Sequence, residues 1–186
     1  GINIFFFFGL SIFAFISLAY LIMYVPKFDY IQSRIFSFFN RDTGTHNFQS
    51  DKAIESITSG GYFGKGIGEG TLKNRVPEAH TDYIISVISE EFGVVAIILI
   101  LLLFLIFIYM VFKKINFEKD DKIKLVLIGC VSLILMQATI HIGVNIRLFP
   151  TTGMTLPFLS YGGSSIISIS IISGIILNLT KRKIEN

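Results

Sequence analysis

The chain has 186 residues, 52% of them hydrophobic and only 16% charged, with 19 Phe, one Cys and a formal net charge of +3. A soluble domain carries about 25% charged residues, and the apolar residues here gather in runs long enough to cross a bilayer, about 20 residues each. That excludes a disordered chain, a secreted disulfide scaffold and a nucleic-acid binder, and leaves an integral membrane protein.

The first apolar run covers about residues 2–25, holds no charge and stops at Pro26-Lys27. The second covers 92–112 and stops at Lys113-Lys114. The third, 125–146, contains the single Cys130, so no intramolecular disulfide can form. A fourth follows Pro157, covers 158–179 and ends in the basic group Lys181, Arg182 and Lys183. Each is predicted to be a transmembrane helix, giving an all-α membrane protein of about four spans with one large extracytoplasmic loop. The chain begins with Gly1 and shows no signal peptide, so it is expected to start inside a longer polypeptide.

Orientation follows from basic residues beside the spans. The short loop 113–124 holds five lysines, and together with the basic tail it is assigned to the cytoplasm. Four spans then place both termini there and residues 27–91 outside. That outer segment has seven bases against nine acids.

Within it, residues 31–39 read IQSRIFSFF, an apolar face at helical spacing that suggests an interfacial helix. Residues 59–70 bring six glycines into twelve positions. The run fails the P-loop pattern, because Gly66 follows Lys65 where Ser or Thr is required. No strand–helix unit surrounds it to suit a dinucleotide, so a structural loop is the better reading. Residues 83–112 are expected to form one helix of 30 residues, about 45 Å long, reaching beyond the hydrocarbon core.

Three groups of polar residues carry candidate chemistry. Residues 77–82 read PEAHTD, where Glu78, His80 and Asp82 alternate and Thr81 is placed to cap the next helix. A carboxylate there suits either helix-dipole compensation or proton abstraction, and spacing alone favours the cap. No second ligand set accompanies these residues, so no metal site is assigned. Gln137, His141 and Asn145 recur every four residues and share one helix face. Such a stripe is expected to face protein or water, either as interhelical hydrogen bonds or as the wall of a polar groove. Residues 156–165, LPFLSYGGSS, place Ser160, Gly162, Gly163 and Ser164 before the last span. Free amides there would attract a pyrophosphate, as would Arg147 in the preceding loop; alternatively the glycines allow close helix packing.

Together the glycine loop, PEAHTDYIISVISEEFG at 77–93 and GVNIRLFPTTGMTLPFLSYGGSS at 143–165 resemble the SEDS family of bacterial cell-wall proteins. PEAHTD with GMTLPF looks more like its division branch than its elongation branch. The resemblance covers nearly the whole chain and implies the last four helices of a fold of roughly ten. It implies a peptidoglycan glycosyltransferase that polymerises lipid II beside a class B penicillin-binding transpeptidase and other division proteins. The substrates would be lipid II and undecaprenyl-linked glycan in the bacterial cytoplasmic membrane. The family's essential aspartate falls on Asp82, which becomes the candidate base. Glu78, His80, Gln137, His141, Asn145, Arg147, Ser160, Gly162, Gly163 and Ser164 become candidate substrate contacts. The chain departs from the family pattern at Asn74, Arg147 and Thr152. No cofactor is assigned, with a divalent cation left open. A lipid II flippase and a non-catalytic division scaffold are the competing functions.

Overall fold

Apolar residues in a membrane protein need not alternate with polar ones, because lipid is as good a solvent for Leu as a core is. The computed structural model describes residues 4–39, 45–76 and 78–181, and every regular element among them is helical. Ile2 and Asn3 of the first span, Arg41, Pro77 and the basic tail beyond Lys181 lie outside the described residues. The chain divides into two units, residues 1–47 and 48–186.

In the first unit, α1 (Ile4–Tyr24) runs to Val25, and a single 3-10 turn at Pro26–Phe28 leads into α2 (Asp29–Phe39). Proline at the first position of that turn has its φ preset and no N–H to lose. Phe8–Tyr24 and Pro26–Phe39 meet at 90°. A bend of that size fits either an amphipathic helix lying along a bilayer surface after a span or a single broken span. Arg34 stacks over the Tyr30 ring at 4.3 Å, one turn away on α2.

The second unit contains α3 (Thr45–Gly60) from Phe48 onward, α4 (Leu72–Arg75), α5 (Ile84–Phe117), α6 (Asp121–Asn145) and α7 (Gly163–Thr180). α5, α6 and α7 are each long and apolar enough to cross a membrane; the bent pair of the first unit makes a fourth if taken as one span. α5 packs on α6, and both pack on α7. Their shared core holds Val111, Ile115, Leu127, Val131, Ile134, Ile169 and Ile176. The tight turn between α5 and α6 is capped by Asp120, whose carboxylate accepts from Lys122 N at 2.9 Å.

α5 is not the continuous helix expected over 83–112. It breaks at Gly93, which has φ 77° and ψ −177°. A break leaves carbonyls free on one side and N–H groups free on the other, a cost that a bilayer does not relieve. The glycine loop supplies both sets of partners. Lys65 N and Gly66 N donate to Glu90 O and Glu91 O at 2.9 and 3.1 Å. On the far side Val94 N and Val95 N donate to Gly61 O and Tyr62 O at 2.9 and 3.3 Å. The loop's backbone lies so close that a Cβ on Gly93 would sit 2.2 Å from Tyr62 O, and one on Gly64 2.2 Å from Glu91 O. The glycine loop is therefore a clasp for a broken helix.

The fourth apolar segment also differs from expectation, becoming helical at Gly163 rather than at 158. Its first residues, Pro157–Ser160, form a turn, and Gly162 stays extended at φ −165°.

Candidate functional site

The residues that carried the sequence argument converge on the second unit's end where α5 begins and α6 stops. Residues 78–83 form a compact turn in which Thr81 N and Asp82 N donate to Glu78 O at 3.2 and 3.0 Å. Thr81 does not cap α5. Its hydroxyl turns back to Glu78 O at 3.1 Å, and the cap position is Tyr83, without a side-chain bond.

Three outside groups hold this turn by its backbone. Tyr161 N donates to His80 O at 3.1 Å, Ser160 Oγ to Thr81 O at 2.7 Å, and Asn145 Nδ2 to Asp82 O at 2.9 Å. Successive carbonyls of the motif are thus tied to the α6 terminus and to the segment before α7. The Asp82 side chain itself is half-buried.

The polar stripe on α6 faces protein, and its partners are mostly main-chain carbonyls. Gln137 Nε2 donates to Thr155 O at 2.9 Å, and His141 Nδ1 meets Met154 O at 2.8 Å. A carbonyl only accepts, so the His141 proton is on Nδ1. His141 Nε2 is buried and has no hydrogen-bond partner among the described residues. Asn145 is fully used: Nδ2 also reaches His141 O, while Oδ1 accepts from Ser86 N and Ser86 Oγ.

These contacts define a re-entrant loop. Residues 151–160 leave the end of α6 and descend beside it to the level of Gln137, eight residues or about 12 Å back along the helix. Irregular backbone at such depth is tolerated only where protein or a cavity satisfies it. The stripe does so at four-residue intervals, and Leu156 N finds Ser160 Oγ at 2.8 Å. Arg147 before the loop and Phe158 within it, with φ 63° and 67°, occupy a backbone region that non-glycine residues avoid.

Against this loop lies a polar cleft of about 330 Å³, lined by Gln137, Gly153, Met154, Thr155, Gly162, Ser164, Ser165 and Ser168. A Cβ on Gly153 would sit 3.6 Å from Asp82 Oδ2, so the carboxylate lies beside one residue of the cleft wall without itself lining the cleft. Thr155 Oγ1 donates to Ser165 Oγ at 2.7 Å, and Gln137 reaches the same pair. Ser165 also lines a neighbouring cavity with Phe158 and Ser160, and Phe158 in turn lines an apolar groove with Ile100, Leu103, Phe104 and Phe107. Shared lining residues set the three hollows side by side, and the last of them is apolar.

Not every candidate meets there. Gln137, Gly162 and Ser164 line the cleft, and Gly163 begins α7 beside it. Ser160, His141 and Asn145 hold backbone, and Arg147 is ion-paired with Asp51 of α3. Glu78 and His80 are exposed on the turn. No group of three or more His, Cys, Asp or Glu is placed to hold a metal among the described residues.

The FTSW_RODA_SPOVE family, described as "Cell cycle protein", matches residues 1–185. The chain belongs to this family. It is 34% identical over 187 residues to the probable peptidoglycan glycosyltransferase FtsW of Enterococcus hirae, covering 95% of this chain and 47% of that protein. The corresponding FtsW of Caulobacter vibrioides is 38% identical over 161 residues, covering 84% and 40%. The chain spans about half the length of the curated relatives it matches. A chain solved under "Structural coordination of polymerization and crosslinking by a peptidoglycan synthase complex" superposes with TM-score 0.69 at 24% identity, over 94% of this chain and 47% of that one. That likeness shows the fold.

This member of the FTSW_RODA_SPOVE family is thus a multi-pass bacterial membrane protein. Sequence reasoning missed the cleft residues Gly153, Met154, Thr155, Ser165 and Ser168. Ser165 and Ser168 fall on one side of α7 at helical spacing, a signal present in the sequence but weak beside so many serines. Nothing in the sequence marks Gly153 as the neighbour of Asp82.

Proposed function

We propose that this chain supplies the general base and part of the substrate cleft of a peptidoglycan glycosyltransferase that polymerises lipid II. The observation that carries the reading is the Asp82 carboxylate beside Gly153, a wall residue of a cleft lined by Gln137, Thr155 and three serines among membrane-length helices. The names of the relatives, glycosyltransferases of peptidoglycan, support the same reaction.

Asp82 accepts the proton of a sugar 4-hydroxyl as that oxygen bonds to the anomeric carbon of a second lipid-linked sugar. The bond from that carbon to undecaprenyl pyrophosphate breaks, and the pyrophosphate carries away the electron pair. An aspartate is a weak base at neutral pH, so the proton moves late, once bond formation has made the hydroxyl acidic. Backbone ties at His80, Thr81 and Asp82 hold the carboxylate for this step and limit its search for the hydroxyl. A serine- and threonine-lined cleft near an apolar groove suits an amphiphile with a sugar–pyrophosphate head and a prenyl tail. A class B transpeptidase is the expected partner, and residues 27–91 are assigned to the outer side of the membrane.

Asp82→Asn tests the reading, because it keeps size and removes the base. In the full-length protein with its transpeptidase, expression is expected to be normal. Polymerisation of lipid II falls by about a hundred- to ten-thousand-fold. Near-normal polymer formation would remove Asp82 from the base role. Transfer of lipid II across vesicles without polymer, insensitive to Asp82, would instead support a flippase.

A further inference from the structure

Glu90 is 1% exposed, and the proposed reaction does not use it. It lies two turns beyond Asp82, on the short part of α5 that precedes the Gly93 break. Its Oε1 accepts from Lys65 Nζ at 2.8 Å and from Thr71 Oγ1 at 3.0 Å. Its Oε2 accepts from Leu72 N at 3.0 Å, and its own carbonyl accepts from Lys65 N at 2.9 Å.

Those partners have a common meaning in the chain. Leu72 opens α4, which leads through buried Val76 and Ala79 to the Asp82 turn; Leu72, Val76, Ala79, Tyr83 and Val87 form one apolar cluster. The segment entering the turn at residues 71–72 and the helix leaving it at residue 90 are therefore bridged by one carboxylate. Asp82 stands near the middle of the ring so closed. Asn145 and Ser160 hold the turn itself, while Glu90 holds both arms that carry it.

A carboxylate at this depth is expensive to bury, and a well-packed apolar side chain is often no worse for stability. What the ion adds is a single arrangement: only one register of loop and helix gives it three donors at once. Glutamine would keep an acceptor for Leu72 N but would lose the charge opposite Lys65 and present N–H groups to the remaining donors.

We propose that Glu90 is a positioning residue for Asp82, clamping residues 65–72 to the short α5 segment so that the Asp82 turn keeps one geometry. The proposal rests on the glycosyltransferase reading for its catalytic consequence, but its structural part is measured without activity. In the full-length protein with its partner, Glu90→Gln is expected to raise hydrogen exchange of amides 78–83 by tenfold or more. Amides 94–112 stay as in the parent. The kcat for lipid II polymerisation falls by about 10- to 100-fold with KM unchanged, the loss typical of a misplaced reacting group. Lys65→Met behaves similarly, and Lys65→Arg restores parental exchange and kcat.

Native exchange over 78–83 in Glu90→Gln overturns the inference, whatever Asp82→Asn does. If Asp82→Asn polymerises normally while Glu90→Gln loosens the turn, the base assignment fails and the clamp stands. If Glu90→Gln unfolds throughout while Lys65→Met folds with a native 78–83 turn, the residue is structural and the inference is overturned.

Discussion

Asn145 shows how much one amide can organise when it is wholly buried. It donates to Asp82 O and His141 O and accepts twice from Ser86, joining the candidate turn to the end of α6. Leu is similar in size but can replace none of these bonds. Asn145→Leu is expected to lower the stability of the detergent-solubilised protein by about 2–3 kcal/mol, from several contacts of modest individual worth. Met136→Leu, one residue before the stripe on an exposed face of α6, is the control and should shift the melting temperature little. Equal stability in the two variants would mean that the Asn145 bonds contribute nothing net. That Asn145 faces inward was legible from its spacing with Gln137 and His141, because polar groups at i, i+4 share a face. Its partners were not legible. They are backbone atoms, and a sequence does not mark which carbonyls a loop will leave unpaired.

At the scale of elements the same lesson recurs with Gly93. The run from Phe92 to Phe112 is apolar throughout, and a glycine near its start reads as a tolerated helix residue at modest cost. The break becomes intelligible only with the glycine loop, whose Lys65, Gly66, Gly61 and Tyr62 supply the missing partners from about thirty residues earlier. Likewise Pro157 reads as a helix start, although the segment dips beside Gln137 and His141 before α7 begins. Gly93→Ala is expected to be severe, since a Cβ would meet Tyr62 O at 2.2 Å and the backbone φ is 77°. A loss of about 2–4 kcal/mol or failure to accumulate folded protein should result, from strain and from steric displacement of the clasp. Gly129→Ala in α6 has nothing within 4 Å of its new methyl and should be neutral or slightly stabilising. Thermal unfolding of the pair, side by side, separates the clasp from a general intolerance of alanine.

For the molecule as a whole, the break also opens an uncharged stretch long enough to cross a bilayer. Residues 94–112 of α5 are free of charge, and 19 residues of helix rise about 28 Å, close to the thickness of a hydrocarbon core. Glu90 and Glu91, paired with Lys65 and Lys73, fall just before this stretch, and Lys113 and Lys114 just after it. Charges thus frame one apolar slab, with the Asp82 turn on the Gly93 side and the α5–α6 turn on the other. Five lysines beside that turn predict that it faces the cytoplasm and that the glycine loop faces outward. Replacing Cys130 by Ala leaves a chain without cysteine, into which single reporters can be set. Phe63→Cys, at a position 84% exposed in the glycine loop, is expected to react with a membrane-impermeant maleimide added to intact spheroplasts. Asp121→Cys, whose native side chain is 93% exposed at the α5–α6 turn, should react only after the membrane is opened. The opposite pattern would invert the topology and put Asp82 in the cytoplasm. An acceptor glycan growing outside the cell would then be out of its reach, and the proposed reaction would fail on topology alone.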